Sequence, residues 1–591
     1  MLNCKPIMRK VFFSAILAAA MLASCTNESE LKPGQGEVAA GADGYVGFSI
    51  QLPTTAGTRA NDVFDDGEFR PDEYAVKNAV LFLFQGASEA DAKFIAAYPM
   101  NVTNFGTVGE ENDQCTTEGV VTAEIIKPEY NNLYAYVMLN NNEMVEITQE
   151  NGATTPASET KVNGTKLVPG TSFADFSKLT MAKLGTQGNL VMTNAPVGDS
   201  MVGATDLHIG NVTTLAVLDK TAIFATEAKA QAHPAGQVYV ERAAAKITVW
   251  ASMDEKKAIE ADSSVMYSRA SIKWAVNNVN KLYYNARQMH KDWLGLAADG
   301  SEGTVNTSTM YRFVSASPIH VNAYRTYFAE DMNYSNGDIS GFEANPTAAN
   351  ITVKAEDKKS VYVTENTFDV ANQMEKNTTG LSVSATFNDD KDFYIASTYG
   401  ANKILQTVAN ASGTVENVRD YIMKYLRNNN GEFKAWEKVK GSASFAVTMA
   451  DDEATGTATV ATVSGEELPT SITADYINSL IKFKFYKGGV AYYNVLIKHF
   501  GDDETPWNRE KHTQNTIEGI YGQEPLATRN FLGRYGIVRN NWYQVEISGI
   551  SQIGSPIVIT PGDTPDDTVN NYISVKIHIL PWAVRKQTEI L

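Results

Sequence analysis

Cysteine is scarce in this 591-residue chain: there are 3. Cys4 and Cys25 lie at the N-terminal end, and Cys115, the internal thiol, has no second internal cysteine with which to close a disulfide. No C-x-x-C occurs. The 7 histidines (His208, His233, His290, His320, His499, His512 and His578) are scattered, with no pair at a metal-ligand spacing. P-loop and G-x-S-x-G signatures are also missing. These absences leave no cofactor, no metal and no catalytic residue to name, and the expectation is a chain that is not an enzyme. Two acidic turns, Asp65-Asp66-Gly67-Glu68 and Asp502-Asp503-Glu504, lack the ligand spacing of a calcium loop and read as solvated turns. Paired carboxylates for glycoside hydrolysis stay open, because such partners meet only in the fold.

Basic charge is short as well. Lys and Arg total 50 against 68 Asp and Glu, a net charge of −18, which argues against a nucleic-acid surface. After residue 22 no apolar run is long enough to span a bilayer. What is present is ample core material, 43% hydrophobic, in a chain long enough for about two to four domains. Tyr (27) and Phe (24) are plentiful and suit half-buried strands, although an exposed cluster would also suit glycans.

The N-terminal end reads as an address. Lys5, Arg9 and Lys10 precede the apolar run 11–22, and Met8 is an alternative start. Leu22-Ala23-Ser24-Cys25 then resembles a bacterial lipobox, in which the cysteine is acylated and becomes the first mature residue. The alternative is an ordinary small-residue cleavage site with an incidental cysteine. The polar residues that follow read as a tether.

Beyond it the chain is rich in short strands. Residues 45–52 alternate, with Val46, Phe48, Ile50 and Leu52 on one face. Residues 573–579 repeat the pattern with Ile573, Val575, Ile577 and Ile579. A Pro-, Asp- and Thr-rich linker, 554–571, precedes that last strand and frees it to reach another sheet. Strands are also expected at 79–85, 133–139, 238–250, 272–276, 360–364, 481–486, 491–497 and 542–547. Gly488-Gly489 suggests that 481–486 and 491–497 form a hairpin. Many short, turn-separated strands favour sandwiches. Helices are expected at 173–184 and at 415–426, the latter with Thr414 as N-cap. Residues 231–236 read as a loop and candidate domain boundary, and 285–350 as loops and insertions. Arg59 stands alone in a small, polar, acidic connection after the first strand. It reads as a surface arginine or as a target for a trypsin-like protease.

The C-terminal region carries a family resemblance. RNNWYQVEISGI (539–550), the linker and ISVKIHILPWAV (573–584) resemble the end of the major subunit of the short (minor) fimbria of Bacteroidales. VYVERAAAKITV (238–249), IKWAVNN (272–278) and GGVAYYNVLIKH (488–499) are similar to further motifs of that family, while 285–350 aligns with none. The resemblance implies a mostly β protein with two transthyretin-like β-sandwich domains, a few short helices and a C-terminal donor strand. On that reading 1–24 is a signal peptide and 25–59 a lipidated propeptide containing the removable first strand. Residues 60–236 and 237–553 are the two sandwiches, and 554–591 the linker and donor strand.

The resemblance also implies a mechanism. The chain is exported to the outer membrane as a lipoprotein through Cys25. An Arg-specific protease cuts between Arg59 and Ala60. The loss of Val46, Phe48, Ile50 and Leu52 opens a groove, which the tail of a second copy fills. The product is a surface fimbrium supporting adhesion and biofilm formation, with anchor and tip subunits as further partners. Rival readings are a glycan-binding lipoprotein or glycosidase that keeps its lipid, and a fimbrial anchor or tip subunit.

Overall fold

The computed structural model describes residues 38–51, 73, 75–103, 118–130, 132–148, 159–198, 201–202, 208–209, 212–288, 313–315, 324–326, 329–333, 341–368, 372, 374–398, 401–406, 417–499, 535–564 and 573–581. Within them the protein is mostly strand, with a few short helices.

The first core is built on a nine-stranded sheet. Its strands include β1 (Asp43–Gln51), β2 (Ala79–Gln85), β3 (Lys93–Met100), β4 (Glu118–Ile126), β5 (Leu133–Leu139), β6 (Met192–Asn194), β7 (Ala216–Leu218), β8 (Ile223–Phe224) and β9 (Gly236–Arg242). The unbroken apolar run of β2 has a simple cause: both of its faces are covered. Ala79, Leu81 and Leu83 enter one cluster, and Val80, Phe82 and Phe84 enter another on the opposite side. The second cluster is aromatic. Phe176 lies 5.0 Å from Phe82, 5.2 Å from Phe84 and 5.0 Å from Tyr136, centroid to centroid.

The second core is a sandwich of two four-stranded sheets. One pairs β10 (Ala245–Ala251) with β12 (Ser360–Val363) and with β19 (Asn541–Ile550), which in turn pairs with β20 (Ile573–Pro581). The other pairs β11 (Lys273–Asn277) with Val353–Lys354 and with β13 (Gly380–Thr386), and β13 with β18 (Val490–Leu496). Ile247, Val249, Tyr543 and Val545 from one sheet meet Trp274, Leu381, Val383, Tyr493 and Val495 from the other. A further core joins β14 (Phe393–Thr398), β15 (Ala446–Asp452), β16 (Thr457–Ser464) and β17 (Lys482–Tyr486) to three helices. The chain passes between the first two cores at Ala243-Ala244: Val240 packs in one and Ile247 in the other. The change of core thus comes after β9 rather than at residues 236/237.

Local readings need correction at four places. The helix expected over 173–184 is only α1 (Phe173–Ser177), capped by the Ser172 hydroxyl, which accepts from the Asp175 amide at 3.1 Å. Beyond it another segment pairs with the backbone where the helix would continue. The Asn285 amide donates to the Leu179 carbonyl at 2.8 Å and the Ala286 amide to that of Ser177 at 3.0 Å. Residues 231–236 are not all loop, since Gln231 and Ala232 end α2 (Glu227–Ala232) and Gly236 opens β9. The helix expected at 415–426 is α3 (Val418–Asn429) with Asn417 as N-cap, and Thr414 lies outside the described residues. Two helices without an expectation, α4 (Gly431–Lys440) and α5 (Ala474–Leu480), complete that core.

The fourth correction is the hairpin. β17 pairs with β14 and β16, whereas β18 pairs with β13 in a different sheet. Gly488-Gly489 turns the chain from one sheet to the next. A Cβ at Gly489 would lie 2.1 Å from the Phe387 carbonyl oxygen, which is why that corner admits glycine alone. Of 285–350, the pieces Phe313–Ser315 and Tyr324–Thr326 pair with each other and join Val197–Gly198 and Val212–Thr213 in a small four-stranded sheet.

The aromatic cluster generates a stability test. Phe176→Ala removes a fully buried ring that no neighbour can replace. Denaturant unfolding should show a loss of about 3–5 kcal/mol; a change below about 1 kcal/mol would mean that the cluster does not hold this sheet together.

Candidate functional site

β1 lies inside its sheet. Along one side it runs antiparallel to β4 over its whole length, from Asp43↔Ile126 to Gln51↔Glu118. Along the other side it first meets β8 antiparallel (Tyr45↔Phe224, Val46↔Ile223), then β9 parallel (Phe48↔Gly236 to Gln51↔Tyr239). Val46, Phe48 and Ile50 are fully buried, packed with Val121, Ala123, Ile125 and Val238. Burying three such side chains is worth roughly 4.5–9 kcal/mol as an upper bound, before any ladder bond is counted. A strand so placed is the least removable by thermal opening, and its removal would leave a two-edged, apolar groove.

The last strand is placed differently. β20 pairs antiparallel with β19 of its own chain, from Asn541↔Pro581 to Ile550↔Ile573, with a register shift between Ile547 and Gly549. Among the described residues β19 is its one ladder partner. Ile573, Val575, Ile577 and Ile579 stand opposite Ile550, Ile547, Val545 and Tyr543. Val46, Phe48 and Ile50 are thus brought into the groove position, and the four tail residues to a sheet edge. Cys25, Leu52, Arg59 and Ala60 lie outside the described residues.

Two further groups escape a reading of the sequence. The first is a buried clamp just beyond the Arg59 connection. Glu73 accepts from Lys246 Nζ at 2.9 Å and from the Tyr362 hydroxyl at 2.7 Å, while Arg242 Nε donates to its carbonyl oxygen at 3.1 Å. Lys246 Nζ also sits 4.1 Å from the centroid of the Trp542 ring, whose Nε1 donates to Thr248 at 2.8 Å. The clamp fastens the chain after the first strand to the second core. A lysine in the run AAAKITV was the available signal, since a charge at a core-strand position needs a partner.

The second group supports β19, the host of the tail. The Tyr543 hydroxyl accepts from the Val538 amide at 2.8 Å and lies 2.7 Å from His499 Nδ1. Either atom of the His499 contact can be the donor, depending on the ring tautomer. Burial pushes His499 down to about 3, with the nearby Arg287 charge adding to the effect. Among the described residues no group of three or more His, Cys, Asp and Glu is arranged to hold a metal ion, and no helix is long and apolar enough to cross a membrane.

Two measurements follow from these groups. Lys246→Met leaves the buried Glu73 carboxylate without its cation and should cost about 3–5 kcal/mol; adding Glu73→Leu should recover most of that loss. Equal destabilisation of the single and double variants would contradict the clamp. For His499 the folded value lies below the ordinary 6.5. The unfolded chain therefore binds the extra proton, and stability falls as pH drops from 6.5 towards 3. His499→Gln should flatten that fall by up to about 1.4 kcal/mol per pH unit; parallel curves for the two proteins would contradict a neutral buried histidine.

Comparison with known proteins adds an independent line. Residues 522–588 match the family of the major fimbrial subunit protein type IV, fimbrillin, C-terminal region. No curated protein matches the chain. Among solved structures, a candidate cell adhesion protein from Parabacteroides distasonis ATCC 8503 is 10% identical, covers 92% of this chain and 100% of its own, and has a TM-score of 0.33. The C-terminally truncated tip fimbrial protein Mfa3 from Porphyromonas gingivalis is 10% identical, with 91% and 100% coverage and a TM-score of 0.25. At these scores the likeness is one of coverage and not of superposed geometry. The family match spans β19, the linker and β20, so the likeness to fimbrillins is one of the C-terminal region.

Proposed function

We propose that the chain is a structural subunit of a surface fimbrium, a shaft pilin similar to the major subunit of the short fimbria. It is exported as an outer-membrane lipoprotein through Cys25, cut between Arg59 and Ala60, and polymerised by donor-strand exchange. Its partners are copies of itself, fimbrial anchor and tip subunits, and an Arg-specific protease. The first sandwich domain runs from residue 60 through β9, the second from β10 to residue 553, and 554–591 serve as linker and donor strand.

The supporting observation is the unequal seating of two strands with the same alternation. β1 has ladder partners on both sides. β20 has β19 alone among the described residues. A tail that leaves such an edge for a vacated β1 slot exchanges one ladder for two, each net hydrogen bond being worth about 0.5–1.5 kcal/mol. Before cleavage the covalent connection gives β1 an effective concentration of about millimolar or more, and no second chain displaces it. Cleavage after Arg59 removes that advantage. The Glu73 clamp keeps the rest of the chain in place, so the cut detaches the leading segment alone.

Digestion with an Arg-specific protease is the test. The mature chain should begin at Ala60, and SDS-resistant ladders should appear as the leading segment is lost. Arg59→Ala and deletion of residues 573–591 should each stop ladder formation, the first by preventing cleavage and the second after it. Complete cleavage that leaves only monomers, or ladders from the tail-less chain, would overturn the proposal.

A further inference from the structure

The groove that β1 occupies has a roof at one position. Gly47 points away from the apolar core, between Tyr45 and Ser49. Those two neighbours are partly exposed, whereas Gly47 is buried. The cover is α2. A Cβ built on Gly47 would lie 2.2 Å from the carbonyl oxygen of Ala230 and 2.9 Å from its carbonyl carbon. Both are backbone atoms, and no side-chain rotation relieves the contact. In the same place the Ala235 amide donates to the Gly47 carbonyl at 2.8 Å.

The roof is also held by groups outside β1. Glu227 Oε1 accepts from the Thr122 hydroxyl of β4 at 2.5 Å and from Asn101 Nδ2 at 2.8 Å. The other end of α2 leads through His233 into β9. Both anchors belong to the walls of the groove and remain when β1 departs. A replacement strand therefore meets three apolar pockets, those of Val46, Phe48 and Ile50, and a lid that admits little more than backbone between the first two.

The tail of this chain has no glycine from 573 to 581. Its outward positions are Ser574, Lys576 and His578. If the tail enters in the direction of β1 with Ile573, Val575 and Ile577 in the three pockets, Ser574 falls under Ala230. If it shifts by two residues, Lys576 falls there. If it enters in the opposite direction and fills all three pockets, either Lys576 or His578 does. A single arrangement fills the pockets and presents the smallest outward side chain to the lid.

We propose that the Ala230 carbonyl on α2 gates this groove, and that the tail of a second copy enters parallel to the departed β1 with Ser574 beneath it. This rests on the strand-exchange reading above and adds to it a direction, a register and a gate. The serine Cβ still requires α2 to lift by on the order of 1 Å to reach ordinary contact. Gly47 thus makes the chain's own first strand the better fit, which favours the resident strand until its connection is cut.

The test uses the full chain cut after Arg59, with the rate of SDS-resistant ladder formation as readout. Ser574→Gly should raise that rate about tenfold. Ser574→Tyr should abolish ladders, while Lys576→Tyr and His578→Tyr should leave them unchanged. Absence of ladders from the unaltered cut chain would overturn strand exchange itself and the gate with it. Ladders that form normally, yet respond alike to tyrosine at all three positions or fail at 576 or 578 instead of 574, would overturn the gate alone. Gly47→Ala probes the roof without the tail. The cut protein should release its leading segment faster than the unaltered protein, and an unchanged release rate would show that α2 does not press on this position.

Discussion

Two-sided pairing of β1 is the constraint on which the rest depends. A strand held by β4 on one flank and by β8 and β9 on the other is part of the fold's interior and not an addition to it. Its three apolar side chains complete a core that also draws on β2, β3 and β5. The first core is therefore complete only while something fills that slot. On the proposed function, this need for a strand is what a second molecule would meet.

The second constraint is where the connection after β1 is fastened. Glu73, Lys246, Tyr362 and Trp542 form a buried polar group against the second sandwich. An ion pair of this kind is no large source of stability, because desolvation offsets most of its Coulomb attraction. Its value lies in fixing position. It fastens residue 73, beyond the first strand, to the second core. The same economy holds at β19, where Tyr543 joins Val538 to His499 inside the core and holds the strand along which the tail runs.

Much of this was legible in the sequence, and the reason is periodicity. Val46, Phe48 and Ile50 alternate with polar or small residues, and the face they define is the one that is buried. The apolar run of β2 reads as buried and is buried on both sides. What the sequence concealed depends on tertiary partners. The helical spacing of α1 runs on beyond Ser177, but residues 285 and 286 pair with the carbonyls of Leu179 and Ser177. Gly488-Gly489 has the composition of a hairpin turn, yet it joins strands of different sheets, because pairing depends on which neighbour β14 and β13 offer. The roof over Gly47 had no local signal: a glycine in a strand is explained only when the helix that lies on it is known.

The central claim concerns where the tail resides once molecules are joined. A cryo-electron microscopy map of assembled material, traced through the slot between β4 and β9, decides it most directly. The account predicts residues 573–581 of a neighbouring molecule in that slot, with the neighbour's own 541–550 edge vacated. A map in which every tail stays on the 541–550 strand of its own chain, and the slot is filled by the original 43–51 segment, would contradict it.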